Sequence, residues 1–161
     1  MPQTYTPIAT QTLSSAQSSV TFSSIPGTYT DLVLVASIKY VLAGEYTKLT
    51  FNGDTTANYS STYLIGNGSA ASSGRTSSAN WIGVGYDANT ETFTDIFNIQ
   101  NYANTTTFKT VLNRHSVAGT RAEALVGLWR KTPEAINSIT LTSSGNYATG
   151  TTFTLYGIKA A

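Results

Sequence analysis

The sequence predicts an all-β protein built as a single antiparallel β-sandwich of jelly-roll-like type. Three observations support this: apolar residues alternate with polar ones over short runs, turn residues separate the runs, and only 11% of the residues are charged. Ser and Thr supply more than a quarter of the 161 residues, and ten residues are Tyr. This composition favours strands and turns over helices, and the length is sufficient for one domain with a substantial core.

Short apolar runs recur about every ten residues with turn residues between them, which is the spacing of strands in a sandwich. The run at 32–36 is apolar at consecutive positions, so we expect an interior strand that is covered on both faces. The remaining strands are expected near residues 20–22, 48–51, 63–65, 81–86, 93–99, 108–113, 124–129, 139–141 and 153–155.

Three polar segments connect or precede these strands. The last two runs flank a segment rich in Ser, Gly and Asn, and we expect them to pair as a β-hairpin. Residues 1–19 contain two prolines and many hydroxyl residues, which predicts an extended N-terminal arm before a sandwich domain at 20–161. Residues 66–80 predict an exposed loop, since small polar side chains bury too little surface to offset the entropy of ordering.

Net charge, cysteine content and hydropathy exclude several classes of protein. A chain with a formal net charge of +1 lacks the basic surface of a nucleic-acid clamp or a polybasic membrane anchor. The absence of cysteine excludes thiolate metal sites and disulfides. The N-terminus lacks the features of a signal peptide, and the longest apolar run is far shorter than a membrane span. We therefore expect no nucleic-acid or membrane partner.

The sequence lacks the patterns that identify an enzyme. Its single histidine, His115, has no serine in a GxSxG elbow to act with, so we expect a histidine without a catalytic role at a strand end or in a loop. The carboxylates occur mostly beside turn residues, as Asp54 does, and not in a paired catalytic context. No cofactor is expected, although alternate oxygen donors keep a calcium site open as an alternative at Asp87, Asn89 and Glu91.

Aromatic residues provide a second candidate chemistry. The ten Tyr and two Trp residues are of types that fill sandwich cores and subunit interfaces, and that also form stacking platforms for sugars. If the platforms are exposed, we expect a glycan to stack on Trp81, Trp129 and Tyr86.

Four segments, spread in order over nearly the whole chain, carry a family resemblance. They are SSIPGTYTDL at 23–32, FNGDTTANYS at 51–60, NYANTTTFK at 101–109, and GLWRKTPEAINSITL with GTTFTLYGI at 127–158. Together they resemble a family of small β-sandwich virion proteins of tailed bacteriophages, including cyanophages. The resemblance implies a non-enzymatic virion component, made in the host cytoplasm and placed on the capsid surface or a tail appendage.

Two functions follow as alternatives from this resemblance. A capsid decoration (cement) protein would bind the major capsid protein or other virion proteins as an oligomer, for which the family implies a homotrimer. The expected contacts are then Thr4, Tyr5 and Ile8 in the N-terminal arm, and Arg75 in the loop at 66–80. A tail-fibre or tail-appendage module would instead recognise a host-surface glycan through the aromatic residues named above.

Overall fold

The computed structural model describes residues 4–84, 86 and 90–159, and β-strands account for most of them. The described residues include no α-helix, and therefore no helix that could cross a membrane. The strands are β1 (Tyr5–Thr12), β2 (Gln17–Phe22), β3 (Asp31–Ile38), β4 (Thr47–Phe51), β5 (Tyr59–Gly66), β6 (Ala71–Ala79), β7 (Ile82–Val84), β8 (Phe93–Gln100), β9 (Lys109–Val117), β10 (Arg121–Trp129), β11 (Ile139–Tyr147) and β12 (Thr152–Ile158).

The strands form two antiparallel sheets in one domain, which confirms the predicted all-β sandwich. The larger sheet has eight strands in the order β1-β12-β3-β8-β9-β10-β5-β6, and the smaller has four in the order β2-β11-β4-β7. A jelly roll has eight strands arranged as two Greek keys. In this protein the hairpins that join β8 to β9 and β9 to β10, and the hairpin that joins β5 to β6, all lie in the larger sheet. The two sheets therefore have unequal numbers of strands.

One continuous hydrophobic core lies between the two sheets. Alternation places every second residue of β9 and β10 in this core and exposes most of the others. The strand β3 lies between β12 and β8, as expected for the run at 32–36, and its inward-facing Leu32 and Leu34 are fully buried. Its outward-facing Val33 is also buried, although the described residues form no third sheet on that side.

The predicted C-terminal hairpin is wrong. β11 pairs with β2 and β4 in the smaller sheet, whereas β12 pairs with β1 and β3 in the larger one. The connection at 148–151, where Gly150 has a φ of +87°, therefore passes from one sheet to the other. Alternating apolar residues give each strand an inward face, but they do not specify which strand lies beside it.

The predicted N-terminal arm at 1–19 and the predicted loop at 66–80 are strands for much of their length. Tyr5–Thr12 form β1, one edge of the larger sheet, and β2 begins at Gln17. Ala71–Ala79 form β6, the opposite edge of the same sheet. Edge strands have one neighbour and bury few side chains, so a polar composition is compatible with them and does not require an unpaired chain.

Candidate functional site

The outward side of the larger sheet presents an exposed apolar surface, which we call the broad face. It consists of the outward-facing residues of β8, β9, β10 and β5, and its exposed large apolar side chains are Leu64, Leu112, Val126 and Leu128. Leu112 lies directly opposite Val126, and Leu64 lies opposite the exposed Ala124. Arg114 carries the only charge among the outward-facing residues of these four strands. Contiguous apolar surface of this kind marks sites of contact with other proteins.

The predicted partner-contact residues lie at both edges of the larger sheet. Thr4 precedes β1, and Tyr5 is 56% exposed with its ring edge-on to Tyr156 at a centroid distance of 6.1 Å. Ile8 lies at a bulge of β1 and packs partly against the core. Arg75 is exposed on β6, seven strand spacings or about 34 Å from β1. The fold therefore separates Arg75 from the other three residues.

Trp129 is buried, so the prediction that it stacks on a glycan is wrong. The side chain is 2% exposed, and its ring stacks on Tyr59 at a centroid distance of 6.4 Å and packs against Phe51 at 5.6 Å. Its Nε1 donates a hydrogen bond to Oδ2 of Asp54 at 2.7 Å. We call Phe51, Asp54, Tyr59 and Trp129 the Trp129 cluster. Their mutual contacts make it part of the core.

Hydrogen bonds fix the charge of Asp54 within this cluster. Burial alone would raise the pKa of Asp54, but hydrogen bonds donated by Thr56, Asn58 and Trp129 outweigh it and hold the pKa well below its usual range. The Asp54 backbone carbonyl accepts a further bond from the Tyr59 hydroxyl at 3.0 Å. The carboxylate therefore has a structural role in the folded protein.

Trp81 and Tyr86 line a groove that the sequence analysis did not predict. The smaller sheet ends at β7, which has three residues, so the inner side of β5, β6 and β10 is left uncovered beyond its free edge. Two adjoining cavities of about 210 and 330 Å³ lie there, and both are lined by Tyr63 and Gly83. We call these two cavities together the groove.

Aromatic rings form the walls of the groove. Trp81 is 36% exposed and Tyr86 is 43% exposed, and the half-buried Tyr63 lies between them because it lines both cavities. The Tyr63 ring crosses β6 at Gly74, where a Cβ atom would lie 2.3 Å from the tyrosine oxygen. Lys48 places its Nζ 4.8 Å from the centroid of the Trp81 ring. Trp81 and Tyr86, unlike Trp129, are accessible to a ligand.

A charged pair lies at one end of the groove. Arg121 and Glu123 both project from β10 into the smaller cavity, and Nη2 of Arg121 is 2.5 Å from Oε2 of Glu123. The guanidinium group also lies over the Tyr86 ring, 5.5 Å from its centroid. Nε of Arg121 is buried and has no hydrogen-bond partner among the described residues. This end therefore combines an aromatic wall with hydrogen-bonding groups whose charges balance.

The remaining candidates from the sequence lie elsewhere. His115 is buried between the sheets, with Nδ1 3.1 Å from Oδ1 of Asp95, and its ring is edge-on to Phe93. Two members of the calcium pattern, Asp87 and Asn89, lie outside the described residues. Within the described part of the chain, no group of three His, Asp or Glu side chains is placed to hold a metal ion.

Comparisons with known proteins do not identify a family. No protein-family model matches the chain, and no curated protein is significantly similar to it. A match among solved structures is a structure of infectious bursal disease virus, Gt strain, which is 14% identical over 95% of this chain and 42% of that one. The chain thus spans less than half of that protein, and a TM-score of 0.13 carries no argument about fold or function.

Proposed function

We propose that this chain is a structural protein of a tailed-bacteriophage virion, attached to the capsid as a decoration (cement) protein and without catalytic activity. The sequence resemblance supports the class of protein. The observation that carries the proposal is the broad face. A decoration protein needs a wide surface, and covering that surface with another protein must lower the free energy.

The composition of the broad face favours a protein partner. Leu64, Leu112 and Val126 are exposed next to small residues, so covering them removes apolar surface from water. Arg114 is the only charged side chain among the outward-facing residues of these strands that must be desolvated or paired, which keeps the electrostatic cost of docking low. Binding to the assembled lattice and not to free subunits would stabilise the shell by mass action.

The two free edges of the larger sheet supply further contacts. The proposed assembly is a homotrimer, in which β1, carrying Thr4, Tyr5 and Ile8, or β6, carrying Arg75, contacts a neighbouring copy or the major capsid protein. Covering these edges satisfies backbone groups that are otherwise open to uncontrolled pairing. Repetition over a symmetric lattice then turns individually weak contacts into firm attachment.

Co-sedimentation with phage heads that lack the protein tests this proposal. Val126→Lys places a charge at the centre of the broad face, and we expect head binding to weaken at least about tenfold, a loss of about 1.4 kcal/mol. The matched control is Ser19→Lys, at an exposed strand position on the smaller sheet, which should bind like wild type. Full head occupancy by Val126→Lys, or imaging that confines the protein to the tail, would contradict the proposal.

The groove favours a second candidate function. A tail-fibre or tail-appendage module that binds a host-surface glycan would use exposed aromatic residues, and Trp81 and Tyr86 meet that requirement. A glycan array probed with the purified protein separates the two candidates. Specific binding that Trp81→Ala abolishes while the fold is retained supports glycan recognition, whereas an array without signal leaves decoration as the function.

A further inference from the structure

We infer that the groove binds a neutral oligosaccharide, with one sugar ring in each of its two adjoining cavities. The ligand class rests on the second candidate function above. The site itself does not depend on whether the protein occupies the head or the tail, because the broad face and the groove lie on opposite sides of the larger sheet.

The size and walls of the groove suit sugar rings. The cavity of about 210 Å³ is smaller than the roughly 300–1,000 Å³ of sites that take a drug-sized molecule, and the cavity of about 330 Å³ is at the lower end of that range, so each accommodates about one ring. Tyr63 lines both cavities, Trp81 lines the larger and Tyr86 the smaller. The C–H faces of sugars pack on aromatic rings, and an amphipathic tyrosine adds a hydroxyl for hydrogen bonding.

The polar groups of the groove explain why the ligand should be neutral. Arg121 and Glu123 already neutralise each other, so an acidic or basic sugar would bring an uncompensated charge into a partly buried site. A hydroxyl pair can instead donate to the carboxylate and accept from the guanidinium, and hydrogen bonds to ionised groups are the stronger kind.

The larger cavity supplies uncharged hydrogen-bonding groups. Ser61, Thr76 and Asn80 line it together with Trp81, whereas Lys48 lines a separate cavity that also borders Trp81. A peptide that added a strand to the free edge of β7 is less well supported. That strand has only three residues, which allows few ladder hydrogen bonds.

Saturation-transfer NMR and titration calorimetry with neutral trisaccharides of glucose, galactose, mannose and N-acetylglucosamine test the inference. We expect at least one of them to bind with a Kd of about 1 mM or tighter. Tyr63→Ala should weaken that binding at least about tenfold, because the ring contributes to both subsites. Tyr63→Phe, which keeps the ring, should retain most of the affinity, and a circular-dichroism spectrum of Tyr63→Ala that matches wild type excludes unfolding as the cause.

Two further variants make the result specific to the groove. Gly83→Ala places a methyl group where both cavities meet and should weaken sugar binding, whereas Phe108→Ala removes a 53% exposed ring outside the groove and should not. Binding of none of the neutral sugars, an equal loss in Phe108→Ala, preference for an acidic sugar, or capture of a peptide at this edge would overturn the inference. The head-binding assay on the same variants separates this outcome from the first proposal, since groove variants should still sediment with heads.

Discussion

The neighbouring strands β5 and β10 run from an end of the sandwich that the smaller sheet covers, the closed end, to an end that it leaves uncovered, the open end. At the closed end Tyr59 and Trp129 lie opposite each other and are buried. At the open end Tyr63, four register pairs further along, is half-buried and lines the groove. Residue type is similar at both ends. The difference is that the four-stranded sheet covers one end and stops at β7 before the other.

The carboxylates at the two ends differ in their hydrogen-bond partners. Asp54 accepts hydrogen bonds from Thr56, Asn58 and Trp129, and these bonds stabilise its charged form in the folded protein. Glu123 is paired with Arg121 alone among the side chains of the groove. Coverage by the second sheet therefore decides whether an aromatic residue is buried in the core or accessible to a ligand, whereas the two carboxylates are equally buried at 8% exposure and differ in their hydrogen-bond partners.

The largest expected effect distinguishes the two tryptophans. Trp129→Ala should lower the free energy of unfolding by about 3–5 kcal/mol, because it leaves a large cavity beside Phe51 and Tyr59. Trp81→Ala should cost less than about 1 kcal/mol, since that ring is partly in solvent. Urea unfolding followed by circular dichroism measures both. Equal losses in the two variants would remove the distinction between the closed end and the groove.

The next prediction concerns how the contribution of Asp54 to the free energy of unfolding depends on pH. Because its folded-state pKa is depressed, its stabilising contribution is complete above the ordinary carboxyl pKa of about 3.9 and is lost as the pH falls from there toward the folded-state pKa. Asp54→Asn should therefore lower the free energy of unfolding at pH 7 by about 1–3 kcal/mol. The difference between variant and wild type should shrink in acid, which urea unfolding at pH 7 and pH 2.5 would reveal. A difference that is constant with pH would show that the charge of Asp54 does not matter.

The last comparison concerns two glycines at the boundary between the closed end and the open end. A Cβ at Gly127 would lie 2.6 Å from Cδ1 of the buried Ile82, so Gly127→Ala should cost about 1–3 kcal/mol by overpacking. A Cβ at Gly83 meets the Trp81 ring at an ordinary 3.8 Å, so Gly83→Ala should change stability by less than about 0.5 kcal/mol. Thermal unfolding of the two variants measures where the sheets are in close contact. Equal tolerance at both positions would contradict that boundary.

The fold was more predictable from the sequence than the sites were. Alternation and turn residues are local signals, so they predicted all-β structure and an interior strand at 32–36, which lies between two neighbours as β3. They did not predict β1 and β6, whose polar edge positions resemble unpaired chain, nor the pairing of β11 and β12 with strands far away in the sequence. Pairing depends on contacts between distant segments, which no local pattern contains.

The amino-acid sequence by itself determined that this chain forms β-strands, that alternate residues enter one core, and that aromatic residues would be central to it. The tertiary structure decided which aromatic residues are buried and which are accessible. Trp81 and Trp129 have the same chemistry, but Trp81 directly precedes the short edge strand β7 and is 36% exposed, whereas Trp129 packs against Phe51 and Tyr59 and is 2% exposed. Burial is a property of what other segments place over a residue, and that becomes defined only when the two sheets pack together.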